Sequence, residues 1–141
     1  MFLGEYQHSI DEKGRLIMPA RFRDQLGEKF IITKGLDGCL FVYPMDEWKK
    51  LAAEVQNLPL AKRDARTFTR ILFSGAAEAE CDRQGRVFLP ASLREYANIQ
   101  KEVVTIGVSD RIEIWSLPVW QDINSNAGER FEELAEKLEG I

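Results

Sequence analysis

Short segments in which apolar and polar residues alternate predict that this chain of 141 residues is rich in β-strand. Residues 5–10 alternate in this way, residues 11–14 carry turn-forming Asp and Gly, and residues 15–18 read as a second short strand. This order predicts a β-hairpin. Asp11 can cap the turn through a side-chain oxygen, and Gly14 can adopt the positive φ that the turn needs.

A short helix and a second pair of strands are predicted after the hairpin. A Pro-Ala pair precedes an amphipathic stretch, residues 21–26, which is closed by Gly27. Proline at the first turn and glycine just beyond the last are typical of a helix. Residues 30–33 and 39–43 then predict two strands joined by a turn. The predicted order of elements is ββαββ.

The chain contains this unit twice. The sequence DEKGRLIMPA at residues 11–20 returns as DRQGRVFLPA at residues 82–91, displaced by 71 positions, and Arg23 matches Arg94 at the same displacement. A fixed displacement over so many positions indicates an internal duplication of a complete structural unit. The second copy predicts a helix at residues 92–97, closed by Asn98, and strands at residues 103–106 and 111–115.

These patterns predict an α+β protein, rich in β-structure, with four parts. Two like units of fewer than fifty residues are expected to bury too little surface to be stable alone, so we expect each unit to pack against its twin or against another subunit. The predicted parts are unit 1 at residues 5–47, a helical connector at 48–75, unit 2 at 76–119 and a C-terminal helical segment at 120–141.

The connector is predicted to form two helices, residues 45–56 and 60–73, separated by an Asn-Leu-Pro break. The second helix has an apolar stripe predicted to face the core and a basic face turned away from it. A solvated basic face is favoured over one that contacts phosphate. The stripe is Ala61, Ala65, Phe68 and Leu72, and the basic face is Lys62, Arg66 and Arg70 with Arg63 beside it.

Residues 129–139 predict a terminal helix that docks on the body of the protein or on a neighbour, because their apolar residues share one stripe. Trp48 and Trp120 follow the last strand of each unit at equivalent positions, which favours core anchoring over base stacking. The stripe consists of Phe131, Leu134, Ala135 and Leu138.

Net charge is −4 with a pI near 5.1, which argues against indiscriminate binding to nucleic acid through bulk charge. The distribution is uneven, however. The acidic residues concentrate at the C-terminus, at Glu129, Glu132, Glu133, Glu136 and Glu139. The repeated motifs carry a local basic surplus at Lys13, Arg15, Arg21, Arg23, Arg83, Arg86 and Arg94.

No apolar stretch is long enough to span a bilayer, and the N-terminus lacks the basic and apolar regions of a signal peptide. Cys39 and Cys81 stand in apolar strand contexts without metal-ligand spacing, and a disulfide between them is the less favoured interpretation. We therefore expect a soluble protein of the reducing cytoplasm with no membrane partner.

Arg15 and Arg86 follow the turn glycines Gly14 and Gly85 directly, so both are expected at hairpin tips that could enter a DNA groove or contact a phosphate. Arginine suits this task because its fork can bond guanine O6 and N7 together. The alternative is that each arginine pairs with the aspartate of its own turn, Asp11 or Asp82, and holds the turn in shape. Because both copies are kept, we favour DNA binding, and the two roles can coexist.

Catalysis, cofactors and metals are not predicted. Asp11 and Asp82 have turn-capping roles and no partnering nucleophile, so they are not expected to be catalytic carboxylates. His8, the only histidine, is predicted to pack rather than to bind a metal. Phosphate loops, nucleophile elbows and zinc-ligand pairs are absent from the sequence. We expect no enzyme activity and no small-molecule substrate.

Two Asp-x-x-Gly-Arg motifs, each followed by Pro-Ala and a short helix, with Met-Phe-Leu-Gly leading in, make the whole chain resemble the MraZ family of bacterial transcriptional regulators. The motifs stand at residues 11–15 and 82–86. The resemblance implies tandem SpoVT/AbrB-like units whose hairpins interleave into a swapped-hairpin β-barrel. It also implies a closed, octamer-like ring of subunits.

The resemblance further implies binding of double-stranded DNA at direct repeats upstream of the protein's own promoter, and control of the division and cell wall gene cluster. Arg15 would carry DNA binding with Lys13 on phosphate, and Arg86 with Arg83 would occupy the equivalent place in unit 2. A cytoplasmic, nucleoid-associated protein is expected.

Two other classes of function stay open at this point. One is a ring-forming interaction protein whose basic tips bind an acidic protein partner. The other is an enzyme such as a methyltransferase, which no cofactor-binding loop in the sequence supports.

Overall fold

The computed structural model describes residues 1–138 and 140. Unit 1 has the predicted order ββαββ, and helix α1 ends at Gly27 with a φ of 78°, as its sequence indicates. Its elements are β1 (Glu5–Ser9), β2 (Arg15–Ile17), α1 (Ala20–Leu26), β3 (Phe30–Lys34) and β4 (Leu40–Pro44).

The connector forms two helices, α2 (Met45–Gln56) and α3 (Arg63–Ser74). Unit 2 then repeats the order of unit 1, and its helix ends before Asn98, which has a φ of 54°. The elements of unit 2 are β5 (Ala77–Ala79), β6 (Arg86–Phe88), α4 (Ala91–Tyr96), β7 (Glu102–Val108) and β8 (Arg111–Ser116). Two helices, α5 (Leu117–Gly128) and α6 (Phe131–Lys137), complete the chain.

The strands of the two units are interleaved in one six-stranded sheet of order β1-β7-β8-β4-β3-β5. The first strand of each unit pairs with a strand of the other unit: β1 pairs with β7, and β5 pairs with β3. The last strands, β4 and β8, pair at the centre. Exchanging equivalent strands of the two units reproduces the same order, so the sheet has a pseudo-twofold axis between β4 and β8.

The prediction of a β-hairpin at each motif is wrong, although the turn itself is present. The Asp11 amide donates to the Arg15 carbonyl oxygen at 2.8 Å, but β1 then continues into the main sheet while β2 pairs with β6 in a separate two-stranded ribbon. Over residues 1–138 and 140 the six-stranded sheet keeps two edges, β1 and β5, and no closed barrel is formed. Pairing between units prevails because it buries the apolar faces of both small units together.

The main hydrophobic core lies between the ribbon, the helices α1 and α4, and the main sheet. Leu16 and Val87, at the centre of the ribbon, are fully buried, and Phe22 contacts Phe2 and Tyr6 edge to face at ring-centroid distances of 5.7 and 5.2 Å. Edge-to-face packing is a favoured arrangement of aromatic rings. The core is therefore shared by both units and cannot be assigned to either one.

The two repeated tryptophans pack on aromatic neighbours, as predicted. Trp48 lies against Tyr43 and Phe73, and Trp120 lies against Trp115 at a ring-centroid distance of 5.5 Å. Each tryptophan therefore fixes the helix that follows its unit to the sheet.

The predicted packing of the connector is wrong in part. The second helix begins at Arg63 rather than at residue 60, and of the predicted stripe only Leu72 is buried, whereas Ala61 is exposed and Phe68 is 42% exposed. The Thr33 hydroxyl donates to the Leu72 carbonyl oxygen at 2.9 Å. The last turn of α3 thus contacts β3, whereas the predicted stripe residues before it are exposed or only partly buried.

The terminal helix α6 is shorter than predicted and leaves its apolar stripe exposed. Phe131 is 75% exposed and Leu138 is 61% exposed, so within residues 1–138 and 140 the apolar stripe is not packed on the body of its own chain. Residue 139, the predicted end of this helix, lies outside the described residues. No helix in the described part of the chain is long and apolar enough to span a membrane.

We expect Phe22→Ala to lower the free energy of unfolding by about 3–5 kcal/mol, because it removes a fully buried ring and leaves a cavity. The matched control is Phe88→Ala, a ring that is 52% exposed, which should cost less than about 1 kcal/mol. Urea unfolding at one protein concentration measures both, and equal losses would contradict the shared core.

Candidate nucleic-acid interface

Each motif folds into a turn that is held by its aspartate. Asp11 Oδ1 accepts hydrogen bonds from the amides of Lys13 and Arg15, both at 2.9 Å, while the Gly14 amide donates to the Asp11 carbonyl oxygen. Gly14 has a φ of 82°, a conformation that glycine adopts without steric cost. The turn in unit 1 is therefore closed by one carboxylate and one glycine.

The second turn has the same geometry. Asp82 Oδ1 accepts the amides of Gln84 and Arg86, both at 2.9 Å, and Gly85 has a φ of 79°. Both turns therefore have an aspartate as the cap and a glycine at positive φ.

The arginines are oriented by the same aspartates. Arg15 Nε donates to Asp11 Oδ2 at 2.8 Å, and Arg86 Nε donates to Asp82 Oδ2 at 2.7 Å. In each turn the arginine amide, followed by its guanidinium, lowers the pKa of the aspartate below its ordinary value. The carboxylates are therefore ionised at neutral pH and hold each guanidinium by its inner nitrogen.

The outer nitrogens of both guanidinium groups remain available. Within residues 1–138 and 140, the Nη atoms of Arg15 and Arg86 donate to no protein acceptor, and the side chains are 28% and 29% exposed. The pairing of each arginine with the aspartate of its own turn, predicted as an alternative to DNA binding, is thus present. It uses only the Nε of each guanidinium group. One arginine side chain can therefore pair with its turn aspartate and contact DNA at the same time.

The ribbon brings the two motifs together on one surface. In its antiparallel register Arg15 lies opposite Phe88, and Arg86 lies opposite Ile17. Successive side chains of a strand point to opposite faces, so these four residues share the outward face while Leu16 and Val87 enter the core. We call this outward face, formed by Arg15, Ile17, Arg86 and Phe88, the ribbon face.

Arg23 and Arg94 support the turns across the unit boundary, a role that sequence reasoning missed. Arg23 Nη1 donates to the Met18 carbonyl oxygen at 3.1 Å, and its guanidinium lies against Gly85 of unit 2 so closely that a β-carbon there would overlap it. Arg94 Nε donates to the Leu89 carbonyl oxygen at 3.0 Å and lies beside Gly14 of unit 1. Their repetition at the displacement of the motifs was the available signal.

The backbone links the turns in the same crossed manner. The Met18 amide donates to the Gly85 carbonyl oxygen at 2.9 Å, and the Leu89 amide donates to the Gly14 carbonyl oxygen at 2.8 Å. Each turn is therefore positioned by the opposite unit. Lys13 and Arg83, the two predicted phosphate ligands, are exposed on these turns.

The remaining candidate groups lie elsewhere. His8 Nε2 is hydrogen-bonded to Thr105 Oγ1 at 2.9 Å, and burial lowers its pKa, so it is part of the packing of β1 on β7. Cys39 and Cys81 are free, and burial raises the pKa of Cys39 to about 12. The described part of the chain contains no group of three His, Cys, Asp or Glu residues able to hold a metal ion.

The fold and the site define a class of protein: two duplicated, interleaved α+β units that together present a two-stranded ribbon with one arginine from each unit. Comparison with known proteins identifies the family within this class. The family model described as "MraZ protein, putative antitoxin-like" matches residues 1–71 and again residues 72–140. This chain belongs to the MraZ family.

Curated relatives match it along its full length. A protein of Thermoanaerobacter sp. (strain X514), named transcriptional regulator MraZ, is 55% identical over 141 residues, which are 100% of this chain and 99% of that protein. A protein of Moorella thermoacetica with the same name is 57% identical over 138 residues, 98% of this chain and 96% of that protein.

We expect Gly85→Ala to destabilise the protein more than Gly38→Ala. Both glycines lie in turns with a positive φ, 79° and 89°, so both alanines carry a backbone cost of about 1–2 kcal/mol. A β-carbon at Gly38 meets nothing within 4 Å, whereas at Gly85 it displaces Arg23 from Met18, which costs about 1 kcal/mol more. Urea unfolding measures the difference, and equal losses would show that Arg23 does not support the turn.

The contribution of Asp11 and Asp82 to stability should disappear in acid. Because folding lowers the pKa of both carboxyls, their contribution is fully present above the ordinary value of 3.8 and is lost as the pH falls through the folded-state pKa. We expect an Asp11→Asn, Asp82→Asn variant to melt below the wild type at pH 7 and close to it at pH 2.5.

Thermal unfolding between pH 2.5 and pH 7 measures this convergence. The control is Asp24→Asn, an exposed carboxyl outside the turns, whose effect on the melting temperature should be small throughout. A gap between the double variant and the wild type that stays constant down to pH 2.5 would contradict the assigned role of the turn carboxylates.

Proposed function

We propose that this chain is a transcriptional regulator that binds double-stranded DNA through the ribbon face. The observation that carries the proposal is that Arg15 and Arg86 lie on one face of the ribbon, each held at Nε by an aspartate and each with Nη donors that no acceptor in the described part of the chain engages. The names of the full-length relatives support it.

The ribbon suits the major groove of DNA. That groove admits a two-stranded β-ribbon, and an arginine fork pairs with guanine O6 and N7 for about 1–3 kcal/mol of discrimination. Arg15 and Arg86 stand at opposite ends of the ribbon face, so they would contact different base pairs. Asp11 and Asp82 would orient the forks, while Gly14 and Gly85 allow the turns to form.

The charge distribution supports a local rather than a general contact with DNA. The chain as a whole carries a net charge of −4, which disfavours nonspecific binding along its surface. Lys13 and Arg83 flank the ribbon face on the exposed turns and would contact phosphates. Register on the duplex would thus come from the turns, and sequence recognition from the ribbon.

We further propose that several copies act together on direct repeats upstream of the protein's own promoter and thereby control the division and cell wall gene cluster, on the nucleoid. A closed, octamer-like ring would supply those copies. One acidic subunit with a small basic face should bind weakly, whereas linked copies on successive repeats gain effective concentration. Repeats about 10–10.5 bp apart present the same groove to successive subunits.

We also propose that the two units are SpoVT/AbrB-like and that they occupy residues 5–47 and 76–119, with helical parts at 48–75 and 120–141. The exchange of strands between units, seen in the pairs β1–β7 and β2–β6, supports units that are interleaved rather than separately folded.

The second candidate function is a ring-forming interaction protein whose ribbon face binds an acidic protein partner through the outer nitrogens of the same two arginines. Competition separates the two functions. Unlabelled specific DNA should displace labelled specific DNA at a lower concentration than an acidic peptide of equal charge does.

We expect Arg15→Ala and Arg86→Ala each to weaken binding to DNA from upstream of the protein's own gene, by about 1–3 kcal/mol, because each removes one fork. Fluorescence anisotropy across a salt series measures the loss after the assembly state of each variant has been confirmed. Arg63→Ala, on the exposed basic face of α3, is the matched control and should bind as the wild type does.

Loss with Arg15→Ala alone would mean that unit 1 faces DNA and unit 2 has a structural role. Comparable losses in both variants would mean that both units contact DNA. If both variants assemble and keep full affinity, the ribbon face is not the interface, and the basic face of α3 becomes the leading candidate.

A duplex with a single repeat should bind weakly, and binding to the full set of repeats should weaken as salt rises, because affinity depends on several linked contacts with phosphate. Titration of labelled duplexes with one, two or more repeats measures this dependence. Tight binding to one isolated repeat would contradict the role of linked copies.

A further inference from the structure

Two large apolar side chains lie on the ribbon face between the arginines. Ile17 is 55% exposed and Phe88 is 52% exposed, although residues on the same strands, Leu16 and Val87, are completely buried. The register places Phe88 directly across from Arg15, and Ile17 directly across from Arg86. Each guanidinium therefore has an exposed apolar neighbour on the same surface.

The spacing of this surface is compatible with contacts to neighbouring base pairs. Arg15 and Phe88, and likewise Arg86 and Ile17, lie opposite each other on strands about 4.7–4.9 Å apart, a distance between one and two base-pair steps of about 3.4 Å. Among the base edges in the major groove, only thymine presents a methyl group. An isoleucine or phenylalanine beside a guanine-reading arginine is therefore suited to contact a thymine.

We propose that Ile17 and Phe88 determine sequence specificity by contacting the C5 methyl groups of thymines that neighbour the guanines bound by Arg86 and Arg15. This inference rests on the proposed function, because it concerns the same ribbon face. It adds an apolar component to recognition that neither phosphate contacts nor arginine forks supply.

The test replaces each thymine of the bound duplex in turn by deoxyuridine, which lacks only the C5 methyl group. At one or two positions we expect wild-type affinity to fall about fourfold, the effect of one buried methyl group. Ile17→Ala and Phe88→Ala should each bind thymine and deoxyuridine equally at one of those positions. Leu36→Ala, which alters an exposed leucine outside the ribbon, should keep the wild-type sensitivity.

The outcomes separate this inference from the proposed function. If the wild type binds the duplex, loses binding with Arg15→Ala and tolerates deoxyuridine at every position, then the arginine mechanism stands and the thymine contact is overturned. Sensitivity to deoxyuridine that persists in both alanine variants would overturn it as well. Failure of the wild type to bind any duplex would overturn the proposed function and this inference together.

A different observation concerns the connector. Between the end of α2 and the exposed side of α3 lies an open, largely apolar groove. Leu60 is 81% exposed and Leu58 is 40% exposed, and Phe68 and Ile71 of α3 are also exposed. The groove is lined by Val55, Leu58, Leu60, Ala65 and Thr69, with Arg66 and Arg70 at its rim.

The C-terminal helix α6 is complementary to this groove. Phe131 and Leu134 of α6, with Leu138 directly after the helix, form an exposed apolar stripe at a spacing of three, then four residues. Residues 129–138 carry four acidic and two basic side chains, whereas residues 62–74 carry four basic and one acidic. One chain thus displays an apolar groove with a basic rim and an apolar stripe with acidic flanks.

We infer that the groove receives helix α6 of a second copy of this chain. The two complementary surfaces are different parts of the molecule, so the contact is heterologous, and each copy provides one stripe and one groove. Such head-to-tail contacts close into a ring when the rotation permits. This inference names the interface of the ring proposed above and does not depend on DNA binding.

The test blocks each surface separately and then mixes the two variants. Leu60→Glu places an acid in the groove, and Leu134→Glu places one in the stripe. We expect each variant alone to be monomeric by light scattering, with wild-type circular dichroism, while the wild type forms a larger assembly. An equimolar mixture should form a dimer, because one intact groove and one intact stripe remain. Leu36→Glu, at an exposed leucine away from both surfaces, should assemble as the wild type does.

The result that would overturn this interface is wild-type assembly by either blocked variant alone. A folded mixture that stays monomeric would also overturn it, because a heterologous contact must be restored by complementation. A monomeric wild type would overturn both the interface and the ring.

Discussion

Pairing between the two units is the interaction on which the rest of this structure depends. The ribbon that carries both motifs exists only because β2 of one unit pairs with β6 of the other, and each motif turn is bonded through its glycine carbonyl to the opposite unit. A unit of this size buries too little apolar surface alone. Exchange of strands gives both units one core, and it also forms the surface on which the two arginines meet.

The ion pairs between the turn aspartates and the arginines contribute orientation more than stability. An exposed ion pair is worth about 0–1 kcal/mol, so the contacts of Asp11 with Arg15 and of Asp82 with Arg86 add little to the folding free energy. Holding a long side chain before it binds removes about 0.5–1.5 kcal/mol of ordering cost. In the proposed function, each turn thus presents a guanidinium whose inner nitrogen is already fixed and whose outer nitrogens point to the ligand.

Much of this arrangement could be predicted from residues alone. Asp11 and Gly14 indicate the turn through local chemistry, Gly27 and Asn98 mark the ends of short helices, and the repeat at 71 positions indicates two like units. These features depend on neighbours in the chain. Sequence reasoning failed for partners distant in the chain. Alternation at residues 5–10 and 15–18 is equally compatible with a hairpin and with strands that pair elsewhere, because periodicity specifies a face and not a partner.

Sequence by itself determined the order of elements, the conformation of the motif turns and the identity of the residues on them, since each follows from backbone preferences and side-chain reach over a few positions. Tertiary structure alone decided that β2 pairs with β6, that Arg23 and Arg94 support the turn of the opposite unit, and that Ile17 and Phe88 stand beside the arginines. It also left Phe68 and the stripe of α6 in solvent. The physical reason is that local preferences are set within one turn, whereas burial is set by competition among all apolar faces of the chain.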